Sequence, residues 1–114
     1  MEQPGAHLND IFQALADPTR RAVLGRLREG PASVGELARP FDMALPSFMQ
    51  HIRVLEISGW IRTRKEGRAR ICTIEEEPII AIEAWLAEQR EIWEARTDRL
   101  EAFVTGTAME DTPE

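Results

Sequence analysis

Gln50 and Arg53 stand three residues apart in the run Pro46-Ser47-Phe48-Met49-Gln50-His51-Ile52-Arg53. Their side chains are the two best suited to reading base pairs: an amide can bond adenine in two places, and a guanidinium can do the same for guanine. If the run is helical, Phe48, Ile52 and Leu55 recur at i, i+4 and i+7 and face a core. The opposite face then carries Pro46, Gln50 and Arg53, flanked by Ser47 and Met49. A second group, Arg64, Lys65, Arg68 and Arg70, is crowded into "RKEGRAR", where compact positive charge suits phosphates or the minor groove. These nine residues form the candidate DNA-contacting set.

The distribution of charge supports that chemistry although the total does not. The 114-residue chain has a formal net charge of −6. Met1 to Pro18 holds three acids and no base, Thr19 to Ile74 eleven Arg or Lys against five acids, and Glu75 to Glu114 three Arg against twelve acids. The three segments are therefore −3, +6 and −9. A basic middle between acidic ends is a polarised molecule, and a patch steers toward phosphate more than a total does.

The elements that must position these groups are legible from punctuation. A first helix is expected over Leu8 to Ala16, with Leu8, Ile11, Phe12 and Leu15 on one side. Asp17 caps a second helix that has Pro18 at its first position and Gly30-Pro31 after its end. Ala22, Val23, Leu24 and Leu27 give that helix a buried side, and close packing is the expected reason for Gly25 inside it. Ser33 and Glu36 form a capping box for a short helix limited by Pro40. A turn around Phe41 to Ala44 leads into the candidate recognition helix, which ends at Ser58-Gly59, so the pair reads as helix-turn-helix. Ala44 stands where Ser, Thr or Asp would normally cap, leaving N–H groups for water or for a phosphate.

From Trp60 the period changes to two, and two runs flank a hairpin turn expected at Glu66-Gly67. That placement sets Ile61 opposite Cys72 and Arg62 opposite Ile71, with Ile61, Cys72 and Ile74 toward the body. Glu75-Glu76-Glu77-Pro78 starts the longest helix, expected over 79–104. Ile82, Leu86, Gln89, Trp93, Arg96, Leu100 and Phe103 recur in steps of four and three like a coiled-coil seam, with Trp85 and Ile92 beside it. The organisation is a tail over 1–7, one domain over 8–104 and a flexible tail over 105–114. The fold class is mainly α with a β-hairpin, a winged helix-turn-helix with helical extensions.

Other functions find little footing. No apolar run nears the ~18 residues of a membrane span, and no signal-peptide pattern opens the chain, so a cytoplasmic location is expected. The single cysteine, Cys72, excludes an intrachain disulfide. It reads as a small buried hydrophobe or, in a sharper alternative, as a thiol redox sensor. His51 reads as a packing or phosphate-touching residue, and Arg20 as a helix-start salt link rather than a DNA contact. Trp85 and Trp93 are expected to anchor an interface, which leaves protein docking through the last helix as a second reading. There is no Gly-rich phosphate loop, nucleophile motif or paired carboxylate site outside the acidic last helix, so the chain is not expected to be an enzyme.

The stretches "FQALADPTRRAVLGRLREGPASVGELA" and "LPSFMQHIRVLEISGWIRTRKEGRARICTI" resemble the ArsR-type bacterial winged-helix repressors over roughly Leu8 to Val104. The resemblance implies a homodimer on a palindromic operator, repression, and release by a small-molecule or protein inducer. It also implies that the first and last helices form the dimer interface, here Leu8, Ile11, Phe12, Leu15, Trp85, Ile92, Trp93 and Leu100. The metal-sensing motifs of that family are missing, since Val34 to Arg39 has no Cys and the last helix no His. His7, His51 and Cys72 are too few and too scattered for a zinc or arsenic site. No metal and no cofactor are therefore expected, and the branch most resembled is a metal-free one.

Overall fold

The structure, a computed structural model, describes residues 4–110, with side chains from residue 7 to residue 105. Its elements are α1 (Pro4–Ala14), α2 (Pro18–Leu27), β1 (Ala32–Ser33), α3 (Val34–Ala38), α4 (Leu45–Ile57), β2 (Ile61–Glu66), β3 (Ala69–Ile74) and α5 (Glu77–Glu110). The chain forms two compact units, one ending at Ile80 and the other beginning at Ala81 within α5. No described helix is long and apolar enough to cross a membrane.

The first unit is held by one apolar core. Ile11 and Ala14 of α1, Val23, Leu24 and Leu27 of α2, Val34 and Leu37 of α3, and Phe48, Ile52 and Leu55 of α4 are all buried there. Trp60, Ile61 and Cys72 complete it from the sheet side. Local chemistry sets the helix starts. Asp17 accepts from the Arg20 N–H at 3.1 Å ahead of Pro18, and Ser33 and Glu36 exchange bonds of 3.1 and 3.0 Å in a complete capping box.

α4 ends in a Schellman motif, in which the Trp60 N–H donates to Leu55 O and the Gly59 N–H to Glu56 O. Gly59 takes φ 86°, the left-handed conformation this motif requires. Phe41, in the preceding turn, packs on Phe48 with ring centroids 5.6 Å apart. The turn between α3 and α4 is thus anchored on α4 by an aromatic pair.

Several expectations need correction. α1 begins at Pro4 rather than Leu8, so only 1–3 of the expected N-terminal tail lie outside the described residues. α5 starts at Glu77 and continues through Thr105 to Glu110, where a flexible tail was expected; 111–114 lie outside the described residues. Ala22 is exposed, and nothing lies within 4 Å of a Cβ built on Gly25, so close packing does not account for that glycine.

The hairpin tip is Gly67-Arg68, not Glu66-Gly67. Ile61 pairs with Ile74, Arg62 with Thr73, Thr63 with Cys72 and Arg64 with Ile71. Gly67 has φ 61° while Arg68 does not have positive φ, the sign pattern of a type II′ turn with Gly first. The register is displaced by two residues, and because side chains alternate with period two, each keeps its expected face. A third strand was also missed: Ala32 pairs with Cys72 and Ser33 with Ile71, placing β3 in the middle of a β1-β3-β2 antiparallel sheet.

Candidate nucleic-acid interface

The two faces of α4 are cleanly divided. Phe48, Ile52 and Leu55 are 0–1% exposed, while Pro46, Ser47, Gln50 and Arg53 are exposed on the other side. Met49 is half-buried at the margin. The α4 residues expected to read bases therefore lie on a solvent-facing surface, with Met49 at its edge. At its N-terminal end Leu45 is 57% exposed. Leu45 was missed because it precedes Phe48 by three and so reads as part of the inward stripe; an exposed apolar side chain there can meet a thymine methyl. Ala44 caps α4 in extended conformation with no side-chain bond, and its carbonyl accepts from Phe48 N–H at 3.0 Å. The first-turn N–H groups of α4 are consequently not taken by an Ala44 side chain.

The four wing cations do not form one cluster. Arg64 shares the outer face of the ribbon with Glu66, to which its Nε donates at 2.6 Å; its Nη1 also reaches Thr73 Oγ1 at 3.4 Å. Lys65 and Arg70 are cross-strand partners on the opposite face. Arg70 Nη1 donates to Thr63 Oγ1 at 3.0 Å, and that hydroxyl donates to Glu56 Oε2 of α4 at 2.7 Å. Arg70 thus braces the wing against the recognition helix. Lys65 and Arg68 alone of the four make no hydrogen bond or ion pair among the described residues. Sequence spacing could not separate them, because the pairing depends on Glu66 and Thr63 lying on different faces. Arg62, lower on the ribbon, is paired with Glu75 at 3.0 Å.

Arg20 occupies a junction. Its Nε and Nη2 donate to the carbonyls of Ala14 and Gln13 at 2.8 and 3.1 Å, and Nη1 lies 3.1 Å from Nδ1 of His51. Arg21 adds a bond to Leu15 O at 2.6 Å. Two guanidiniums from α2 therefore serve the last carbonyls of α1 and the first one after it, and α1 has no basic residue in its own last turn. Arg20 was expected to make a helix-start salt link. Its main-chain N–H does meet Asp17, but its guanidinium joins α1 to α4 instead. Partial burial would raise the Asp17 carboxyl, but the Arg20 and Thr19 N–H groups and the Arg20 charge together hold it below its ordinary value.

Cys72 is fully buried on β3, and burial, with Glu56 adding to it and Arg70 opposing, pushes its thiol up to about 11. A thiolate is scarce at neutral pH in such a site. Among the described residues there is no group of three or more His, Cys, Asp or Glu that could hold a metal ion.

Of the expected interface residues, Ile11 is a correction. It has no exposed surface, and its carbonyl accepts the buried Trp60 indole N–H at 3.0 Å, so it belongs to the protomer core. On α1, Leu8 is half-buried and Phe12 exposed; Leu15 is half-buried in the turn after Ala14, although the helix was expected to run to Ala16. On α5, Trp85, Ile92, Trp93 and Leu100 are 40–65% exposed.

Comparison with known proteins agrees with this architecture. Residues 15–64 match the model of a helix-turn-helix domain family. The chain is 39% identical over 71 residues to the HTH-type transcriptional regulator Rv2034 of Mycobacterium tuberculosis, covering 62% of this chain and 66% of that one. It is 33% identical over 61 residues to the transcriptional repressor SdpR of Bacillus subtilis, covering 54% of this chain and 68% of that one. The aligned segments thus span about two thirds of each relative. The crystal structure of an ArsR family transcriptional regulator, RHA00566, superposes with a TM-score of 0.78 at 72% identity, covering 82% of this chain and 97% of that one. With a helix-turn-helix, a wing and a 72%-identical match that spans nearly the whole of a solved ArsR family regulator, the chain belongs to the ArsR family of winged-helix transcriptional regulators, a family of DNA-binding proteins and not of enzymes.

Proposed function

We propose that the protein is a homodimeric repressor that reads a palindromic operator without a metal ion. The observation that carries the reading is the division of α4, with three fully buried apolar residues behind an exposed face of Ser47, Gln50 and Arg53. Gln50 and Arg53, with Ser47, Leu45 and Pro46 beside them, contact base edges, and Met49 lines the margin. Lys65 and Arg68 contact phosphate or the minor groove, while Arg64 and Arg70 principally hold the wing in place. Repression is the activity in the name of the SdpR relative; in this protein it follows from occlusion of the promoter by the bound dimer. Metal independence is supported by the absence of Cys from α3 and of His from α5.

The homodimer reading is supported on α5 by Leu86, Trp93, Leu100 and Val104, each more than half exposed and spaced along one seam, with Trp85 and Ile92 exposed beside it. Leu8 and Phe12 of α1 and Leu15 in the turn after it are the other candidates. Sedimentation at micromolar concentration tests this, and a monomer there would remove the interface assignment.

The function itself is tested by fluorescence anisotropy on duplexes from the region upstream of the protein's own coding sequence, against scrambled duplexes, with chelator present. The expected result is tight binding to the native duplex alone. Equal weak binding to both duplexes would remove the base-reading role and favour protein docking through α5.

A further inference from the structure

Three elements meet at Arg20, and only one of them reads DNA. The guanidinium takes the Gln13 and Ala14 carbonyls at the end of α1 with two of its nitrogens and His51 of α4 with the third. Arginine only donates, so Nδ1 of His51 must accept, and the imidazole proton is left on Nε2. Asp17 Oδ2, 3.7 Å from the same Nδ1, is bonded instead to the Arg20 N–H. His51 directly follows Gln50 and precedes Arg53 by two residues, so the bond to Arg20 holds α4 at the level of its exposed polar face.

Close packing does not do this work alone. Between α1 and the C-terminal half of α4 lies an open groove of about 270 Å³, bordered by Gln13, Arg20, Val54 and Ile57. The Trp60 indole bond to Ile11 O ties α1 to the segment just after α4. Arg20 provides the tie to the middle of α4, and no other described hydrogen bond joins α1 or α2 to α4 there.

We propose that Arg20 is a positioning residue for operator reading, acting on α4 through Nδ1 of His51 and carrying the placement of α1 to the recognition helix. The inference rests on the base-reading role proposed above for α4. It predicts a dependence on one atom. Asparagine can offer its side-chain oxygen near the position of Nδ1, whereas glutamine reaches the position of Nε2.

The test measures operator and random-duplex affinity, together with thermal stability, for Arg20→Lys, Arg20→Ala, His51→Asn and His51→Gln. Arg20→Ala also strips the end of α1, so Arg20→Lys and the His51 pair keep the test open if that variant fails to fold. Arg20→Lys and His51→Gln should lose about tenfold in operator affinity, the size expected for one part-buried bond left unmade, with random-duplex affinity held within about twofold. His51→Asn should stay within about threefold of the native protein. Equal behaviour of His51→Asn and His51→Gln, or equal loss on both duplexes, would overturn the proposal.

Failure of the base-reading role is distinguishable, because the native protein would then show no operator preference before any substitution. NMR of the imidazole nitrogens decides the joint separately. A bare Nδ1 and a protonated Nε2 in the native protein, mixed in Arg20→Lys, supports it; an unchanged ring overturns it.

Discussion

Removing Lys65 should flatten the salt dependence of operator binding, whereas removing Arg64 should barely alter it. The two are sequence neighbours on one strand, so any difference comes from their surroundings. Arg64 is held by Glu66 at 2.6 Å and reaches Thr73, so a phosphate meets a charge already largely offset. Lys65 points to the other face and has no partner among the described residues. Each phosphate neutralised on B-DNA contributes about −0.9 to the slope of log affinity against log salt, so leaving one more phosphate unneutralised by each subunit flattens a dimer's slope by about 1.8. Lys65→Ala with Arg68→Ala should flatten it by about 3.6, and Arg64→Ala by less than about 0.5. Glu66→Gln is the converse, freeing Arg64 and steepening the slope by up to about 1.8. Anisotropy titrations from about 50 to 200 mM salt resolve these differences. Equal flattening by Arg64→Ala and Lys65→Ala would refute the partition of the wing.

Arg53→Ala should cost ~1–3 kcal/mol on the operator and relax discrimination at one base pair; equal loss on random DNA would remove its base-reading role. Trp60→Phe leaves the buried Ile11 carbonyl without its indole donor, and should destabilise the fold by about 1–3 kcal/mol in urea denaturation. An unchanged midpoint would show that another donor replaces the indole. Cys72 titrates higher folded than unfolded, so its stabilising contribution is present below its ordinary value of 9.0 and is lost as pH rises toward about 11. Native protein should therefore lose stability relative to Cys72→Val across that window, and parallel curves would contradict the burial argument. Oxidant at neutral pH should leave operator binding intact, because the thiol is buried and protonated; loss of binding in native protein but not in Cys72→Val would restore the redox reading.

Much of this protein was legible without its structure because the deciding interactions are local. Asp17 with Pro18, and Ser33 with Glu36, act within four residues of one another, so helix starts follow from spacing alone. The Phe48-Ile52-Leu55 stripe fixes which face of α4 turns inward, and therefore that Gln50 and Arg53 turn outward. The faces of the hairpin also survive an error in its tip, since a register shift of two leaves alternation unchanged.

What spacing could not supply are relations between residues far apart in the chain or on opposite faces of a ribbon. β1 is only Ala32–Ser33, too short to carry a pattern, and exists because β3 offers it an edge. Ile11 looks like any interface residue on an amphipathic helix until Trp60, 49 positions later, is seen to bond its carbonyl. Arg20 and His51 are separated by 31 residues, and Arg70 meets Glu56 only through Thr63. Charge counting treats every arginine as free. Only the tertiary structure shows which are already committed, because a guanidinium's donors are satisfied by whatever carbonyls, hydroxyls and carboxylates the fold brings within about 3 Å.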